Sequence, residues 1–274
     1  MRINLFILLL LLAPITTTRA QDINRSYHRI GVLLGRQETQ MQDQQFSPLI
    51  YSANEWSGQF KYNAKYNRDN WNVALDFSTG SLFPDQFADR QIYNTTEDIE
   101  GNITVDSVFI HGSTLTGSLQ LGYDYSFFQS NTLDFKAGLK ARNQIMYPST
   151  FTNMGIMNSA SLLINLEATW HSGSKMEWSA GINTPVVGYN TRFPYSGTVS
   201  QPNQTLFEAF FDGGTQLVSF GDYQQVNANL EWRYQLSYDV GIGLNYAFTW
   251  QQYLIPVPFR SYSQRIGAMV DMTF

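Results

Sequence analysis

The sequence predicts an all-β fold: an antiparallel, up-and-down transmembrane β-barrel of about ten strands, within a range of roughly eight to twelve. Three observations carry this expectation. Apolar and polar residues alternate with period two along most of the chain. Tight turns and long polar connections alternate between these segments. The strand charges fall on one face and most aromatic side chains on the other.

The chain opens on a short basic region at Arg2, an apolar run over residues 5–15 and the small-x-small sequence Thr18-Arg19-Ala20. This pattern predicts a secretory signal peptide over 1–20, cleaved near Ala20/Gln21, and a single barrel domain over 21–274. The run is too short for a membrane anchor, since spanning a bilayer takes about 20 apolar residues. A first strand is expected over 27–37.

Four hairpins follow. In the first, Phe60, Tyr62, Ala64 and Tyr66 lead into a turn at Asn67-Arg68-Asp69-Asn70, and Trp71, Val73, Leu75 and Phe77 return on the same face. The second sets Leu119, Leu121, Tyr123, Tyr125 and Phe127 before a turn at Gln129-Ser130-Asn131, with Leu133, Phe135, Ala137, Leu139 and Ala141 after it. The third turns at His171-Ser172-Gly173-Ser174, between a strand ending in Trp170 and one beginning with Met176 and Trp178. The fourth turns near Leu236-Ser237, between Val226–Tyr234 and Val240–Trp250. A last strand alternates Ile266, Ala268, Val270, Met272 and Phe274 with Arg265, Gly267, Met269, Asp271 and Thr273.

Longer connections are expected at about 38–55, 80–106, 147–156, 188–218 and 252–261. Short turns at one end and long loops at the other are how outer-membrane barrels are organised, and an even strand count returns both termini to the turn-bearing end.

The two strand faces differ in chemistry. Trp71, Phe77, Tyr123, Trp170, Trp178, Trp232, Trp250 and Phe274 lie on the broad apolar face, expected to meet lipid through aromatic girdles. The opposite face carries the cations Lys61, Lys65, Lys136, Lys140, Arg142, Arg233 and Arg265. It also carries the anions Asp76, Asp124, Asp134, Glu167, Glu177, Glu231 and Asp271. In a soluble sandwich the charged face would be outside; in a membrane barrel it faces the lumen. The balance of sign suits a lumen crossed by ion pairs, and a core crowded with Tyr, Trp and Phe would not suit a sandwich.

Composition narrows the function. Charged residues make up 14% and aromatics 15% of the chain, against roughly 25% charged in soluble domains. A net charge of −5 argues against a nucleic-acid partner. With no cysteine there is no disulfide framework, thiol catalysis or Cys-based metal site. No cofactor and no metal site is expected.

The signal-peptide pattern, the amphipathic hairpins and a final strand ending on Phe274 resemble the bacterial outer-membrane β-barrels. The resemblance implies an integral protein of a Gram-negative outer membrane, in contact with its lipid and assembled by the barrel-assembly machinery, which reads a C-terminal aromatic on the last strand. It also implies short periplasmic turns and long extracellular loops. "FSPLIYSANEWSGQF" and "INTPVVGYNTRFPYSG" resemble uncharacterised barrels of Bacteroidota-type bacteria, a likeness that implies no activity. The Asn-Pro-Ala-Tyr type motif of secretion-associated barrels in gliding bacteria is absent.

Chemistry-bearing candidates are few. His111 and Ser113 have the His-x-Ser spacing of a lipid A deacylase dyad, and residues i and i+2 of a strand share a face. A nucleophilic serine also needs an oriented base and an oxyanion hole, and no acidic partner sits at a recognisable spacing. His28 and His171 read as surface residues. An omptin-like protease would need paired carboxylates and a His–Asp pair at the barrel top. Asp85, Asp89, Glu97, Asp98, Glu100 and Asp106 crowd the second long loop without a fixed ligand spacing, so a solvated loop is the expectation. Phe193, Tyr195, Phe207, Phe210, Phe211, Tyr253 and Phe259 make two long loops unusually apolar. Such loops either fold into the barrel mouth or form a surface for an envelope protein or small-molecule partner.

A barrel of this size has an interior that side chains fill, whereas aqueous channels belong to 16–18-stranded porins. The expected function is therefore a small non-enzymatic barrel with a plugged, ion-paired lumen, acting in ligand or partner binding or envelope organisation. A narrow channel or transporter for small or hydrophobic solutes is the alternative. A rim enzyme, lipid A deacylase-like or omptin-like, is the third.

Overall fold

The computed structural model describes residues 26–45, 47–87, 91–97, 101, 103–109, 112–149, 156–192 and 203–274. The expected signal peptide and its cleavage site lie outside the described residues. Thirteen strands form: β1 (Tyr27–Asp43), β2 (Tyr51–Tyr66), β3 (Asp69–Pro84), β4 (Gln91–Glu97), β5 (Ile103–Phe109), β6 (Gly112–Gln129), β7 (Leu133–Ser149), β8 (Met157–Ser172), β9 (Met176–Arg192), β10 (Thr215–Ser219), β11 (Tyr223–Gln235), β12 (Val240–Tyr253) and β13 (Phe259–Thr273), with helix α1 (Leu206–Gly214) before β10.

The large sheet runs β10-β9-β11-β12-β13-β1-β2-β3-β6-β7-β8, and β8 pairs again with β9. The sheet is therefore closed: ten antiparallel strands form the wall, and β10 lies against the outer end of β9. Closure satisfies the backbone without leaving an edge, which is what lipid demands. The strands tilt. A row of paired residues that leaves β9 at Ser179 passes through Glu231, Asn245, Gly267, Gly35, Ser57, Ser78, Thr116, Met146 and Met157, and returns to β9 at Arg192. Such a stagger is the shear that closing a barrel requires.

First and last strands meet over fifteen register pairs, from Arg29↔Thr273 to Asp43↔Phe259. The seam needs small residues: a Cβ on Gly35 would sit 2.2 Å from the Ile266 carbonyl oxygen and 2.7 Å from Gly267 Cα. At its lower end His28 and Phe274 exchange both backbone hydrogen bonds at 2.9 Å. The His28 ring stacks on Phe274 at 5.6 Å, and its Nδ1 lies 2.7 Å from the Tyr62 hydroxyl.

Alternation sorts the side chains as the pleat requires. The outer surface exposes Ile30, Val32 and Leu34 on β1, Leu75 and Phe77 on β3, Leu119 and Leu121 on β6, and Ile266, Val270 and Met272 on β13. Exposed apolar surface on this scale is not that of a soluble monomer. Aromatic rings gather on the outer wall toward the turn-bearing end, with Trp71 against Tyr123 at 4.9 Å, Phe127 against Phe135 at 6.2 Å and Trp178 against Trp232 at 6.3 Å.

Several boundaries differ from the sequence expectation. The first tight turn is Asn67-Arg68 alone, since Asp69 and Asn70 already pair in β3. Strands run deep into segments that read as loops: β1 continues to Asp43, β2 begins at Tyr51, and β9 reaches Arg192. The physical reason lies in the length of the strands. β6 has 18 residues and β7 has 17, whereas about 9–11 tilted residues span a bilayer. Beyond the apolar belt both faces are polar, so pairing persists where alternation fades. The long connections also carry structure of their own, namely the β4–β5 hairpin and α1 with β10.

Candidate functional site

The interior of the barrel is a column of polar side chains closed by an apolar layer. At the turn-bearing end Arg29 on β1 reaches Glu177 on β9 at 3.0 Å. Arg233 on β11 grips Asp271 on β13 through Nε and Nη2, the latter at 2.7 Å. Lys65 on β2 meets Asp134 on β7 at 3.0 Å, and His171 Nδ1 lies 3.7 Å from Glu177.

The next level is tied in the same way. Lys136 bonds Glu167 at 2.8 Å, Lys61 bonds Glu231 at 2.6 Å and Arg265 bonds Asp76 at 2.8 Å, with Gln59 also donating to Asp76. Most of these ties join strands that are not neighbours in the wall, so they cross the lumen rather than run along it. A buried charge without its partner costs several kcal/mol, so each tie resists being opened singly. Asp124 is held by amides instead, with Asn72 at 2.9 Å and Asn165 at 2.7 Å. Glu55, 1% exposed, accepts hydrogen bonds from Ser78 and from Gln37 at 3.2 Å. Arg142 donates to Asn227 at 3.2 Å and to Gln144.

Toward the long-loop end the chemistry changes. Met41, Ala53, Leu82, Met146, Met157, Val218, Tyr223, Tyr253 and Phe259 form one buried apolar cluster, with Tyr51 and Ile255 packed against it. These side chains come from nearly every wall strand and point inward. Above them Arg192, 3% exposed, spans the mouth. Its guanidinium donates to Asp43 on β1 at 2.6 Å and to the Val257 carbonyl at 2.8 Å, in the connection between β12 and β13. It also lies 5.7 Å from the ring centroids of both Tyr253 and Phe259. Below the apolar layer the polar column encloses a cavity of about 290 Å³ that reaches from Tyr27 and Lys65 to Met146 and Gln251.

All the charged residues assigned to the lumen from the sequence are buried or half-buried on the inner face. Sequence reasoning missed Arg29, Asp43, Glu55 and Arg192. Three of these lie in segments read as loops, where the alternation has faded. Of the two alternatives for the apolar loops, Tyr253 and Phe259 take the inward one: they are 1% and 3% exposed inside the mouth. The reason is that β12 and β13 extend to include them, and strand parity turns both inward. Phe210 is 6% exposed beneath α1, stacked edge-on with Phe211 at 5.1 Å. Phe193 and Tyr195 lie outside the described residues, and Phe207 is placed in α1 by its backbone alone. Of the membrane-facing aromatics, Trp71, Phe77 and Phe274 are more than half exposed, and Tyr123, Trp170, Trp178, Trp232 and Trp250 are partly covered by neighbours.

The catalytic candidates do not assemble among the described residues. His111 lies outside them, and Ser113 is exposed at the outer end of β6, opposite Ser81 and Ser149. His28 and His171 both sit at the turn-bearing end, on the outer wall and in the lumen respectively. Asp85 opens a short 3-10 turn, Glu97 and Asp106 are on the β4–β5 hairpin, and Asp89, Asp98 and Glu100 lie outside the described residues.

Two features dress the long-loop end. Among the described residues the β4–β5 hairpin pairs only with itself, with Tyr93, Ile103 and Val105 on one face and all more than half exposed. Helix α1 starts on a capping box, in which the Thr205 hydroxyl accepts from the Glu208 N–H while the Glu208 carboxylate accepts from the Thr205 N–H at 2.8 Å. Hydrogen bonds from the Thr205 backbone and hydroxyl hold that carboxyl below the usual carboxylate range.

No protein-family model matches the chain, and no curated protein matches it significantly. Solved structures do. The outer membrane protease OmpT from Escherichia coli superposes with a TM-score of 0.50 at 9% identity, over 95% of this chain and 100% of that one. The fold is that of the bacterial outer-membrane β-barrels. The translocator domain of autotransporter NalP from Neisseria meningitidis gives 0.43 at 9% identity over 92% of this chain and 90% of that one. Neisserial surface protein A gives 0.37 at 8% identity over 90% and 97%. At such identities the likeness is one of fold.

Proposed function

We propose that the chain is an integral outer-membrane barrel that neither conducts nor catalyses, and that it binds a partner at its long-loop end. The observation that carries this reading is the sealed mouth: an apolar layer contributed by most of the wall strands, clasped by Arg192 to Asp43 and to the loop that follows β12. The cross-lumen ion pairs beneath it narrow the lumen further. The outer-membrane location is supported by the exposed apolar belt with its aromatic rings and by the shared fold of the solved barrels. In this reading the wall meets outer-membrane lipid, the last strand is what the barrel-assembly machinery engages, and the source is a Bacteroidota-type bacterium.

Partner binding is supported by the β4–β5 hairpin. A two-stranded hairpin is marginally stable alone in water, and this one exposes Tyr93, Ile103 and Val105, with both edges unpaired among the described residues. An envelope protein that covers that face would add the missing layer. A narrow channel is the second reading, favoured by the polar cavity below the cap. Planar-bilayer recordings separate the two: the sealed barrel gives a silent bilayer, and discrete conductance steps from the intact protein favour the channel.

A further inference from the structure

The inner face of β7 carries Lys136, Gly138, Lys140, Arg142 and Gln144 in succession. Lys136 has its carboxylate, Glu167, directly across on β8. Lys140 and Arg142 do not. Their register neighbours are Gly122 and Leu163 for Lys140, and Gln120 and Ser161 for Arg142. Among the described residues neither cation has a carboxylate within ion-pair distance, whereas every other cation of the lumen does. Lys140 is 8% exposed and makes no hydrogen bond among the described residues; Asp124 and Glu167 reach it only through space.

Arg142 is fixed by neutral oxygens alone. The Asn227 carbonyl that accepts from it also accepts from Gln225 at 3.2 Å and Thr249 at 3.1 Å, and the Asn227 amide donates to Asn183 at 2.7 Å. That network holds the guanidinium in place without neutralising it. Both cations border the same cavity of about 290 Å³, together with Gln120 and Asn229. The carboxylates that also line the chamber, Asp76, Asp124, Glu167, Glu177 and Glu231, lie beyond ion-pair distance of both cations. Two like charges side by side on one strand are costly in a low-dielectric interior, and an anion that joins them directly relieves that cost.

We propose that Arg142 and Lys140 form an anion-binding site inside the barrel, which takes a small oxyanion, a carboxylate or a phosphate. The planar guanidinium offers a two-point grip on such a group, Lys140 adds a point charge, and the amides accept or donate around it. The chamber reaches the turn-bearing end at Tyr27 and Lys65, while the apolar layer closes it from the loops. The ligand therefore enters from the periplasmic side. The site rests on the sealed-mouth reading for its direction of entry but not for its existence.

The test uses the full chain folded in detergent. Its thermal unfolding midpoint is followed during titration with inorganic phosphate and, separately, with acetate, against sodium chloride at matched ionic strength. A saturable rise above the chloride control is expected with at least one of the two, and the better probe identifies the oxyanion class. R142Q should weaken the half-saturation point at least about tenfold, with K140Q losing less. A rise no greater than chloride, or one unchanged in R142Q, overturns the proposal. R142K keeps the charge but loses the fork, so it should fold even where R142Q does not, and unchanged affinity in R142K overturns the two-point grip. Crystals soaked in arsenate, a phosphate analogue, give a readout independent of stability: an anomalous peak beside Arg142 is expected, and none there counts against the site. A wild-type protein that conducts in bilayers yet shows the Arg142-dependent shift would sink the sealed-mouth reading and leave the site standing.

Discussion

Arg192 shows how one side chain can hold the mouth of a barrel. It sits at the last position of β9 and reaches across the opening to β1 and to the connection between β12 and β13, which lie side by side where Asp43 pairs with Phe259. Replacing it with alanine removes two strong hydrogen bonds and leaves Asp43 facing an apolar layer. R192A is expected to destabilise the folded barrel by about 3 kcal/mol, read as a lower unfolding midpoint in guanidinium. R192K should recover only part of this, because a lysine cannot serve a carboxylate and a carbonyl through one planar fork. An R192A protein as stable as wild type would mean that the clasp contributes nothing. The charged residues of the lower lumen were legible from the sequence, since period-two alternation assigns Lys61 or Asp271 to a face without knowledge of the partner. Their pairing was not legible. Arg29 with Glu177 and Lys61 with Glu231 are joined by the closure of the wall, a property of no single segment.

At the scale of elements, the strands were legible where lipid acts on them and illegible where it does not. Phe60 to Phe77 reads as a hairpin because one face must be apolar, while the upper half of β1, Glu38 to Asp43, has Met41 as its single apolar residue and reads as loop although it pairs on both sides. The same blindness hid the apolar layer, whose members Met41, Tyr253 and Phe259 fall in those extensions. The β4–β5 hairpin is the most separable element, since among the described residues it pairs with no wall strand. Replacing residues 88–110 with a short Gly/Ser linker should leave the heat-dependent gel mobility of the detergent-folded barrel intact, and its loss would show that the hairpin helps to hold the wall. Helix α1 carries a pH signature. The Glu208 carboxyl is held below its ordinary range in the folded helix, so its contribution is complete above the unfolded value, roughly pH 4.3. That contribution fades as the pH falls through the depressed folded value. Amide protection in α1 should decline there while the barrel strands stay protected; E208Q should abolish the pH dependence, and T205A, which keeps the backbone donor, should only reduce it. A decline that persists in E208Q contradicts the capping account.

The whole molecule inverts the arrangement of a soluble protein for most of its height and restores it at one end. Around the belt the apolar side chains face out and the ions face in; above the belt a small apolar core closes the barrel. Ion pairs that cross the lumen and a cap that spans it are both ways of filling a ten-stranded interior, and the function proposed above takes the cap to shut it. The central claim is therefore that this barrel is shut. The direct measurement is the conductance of the purified, refolded protein in planar bilayers across a range of voltage. A silent bilayer after verified insertion, with activity appearing in R192A, is the result predicted here. Steady, discrete steps from the wild-type protein would contradict it.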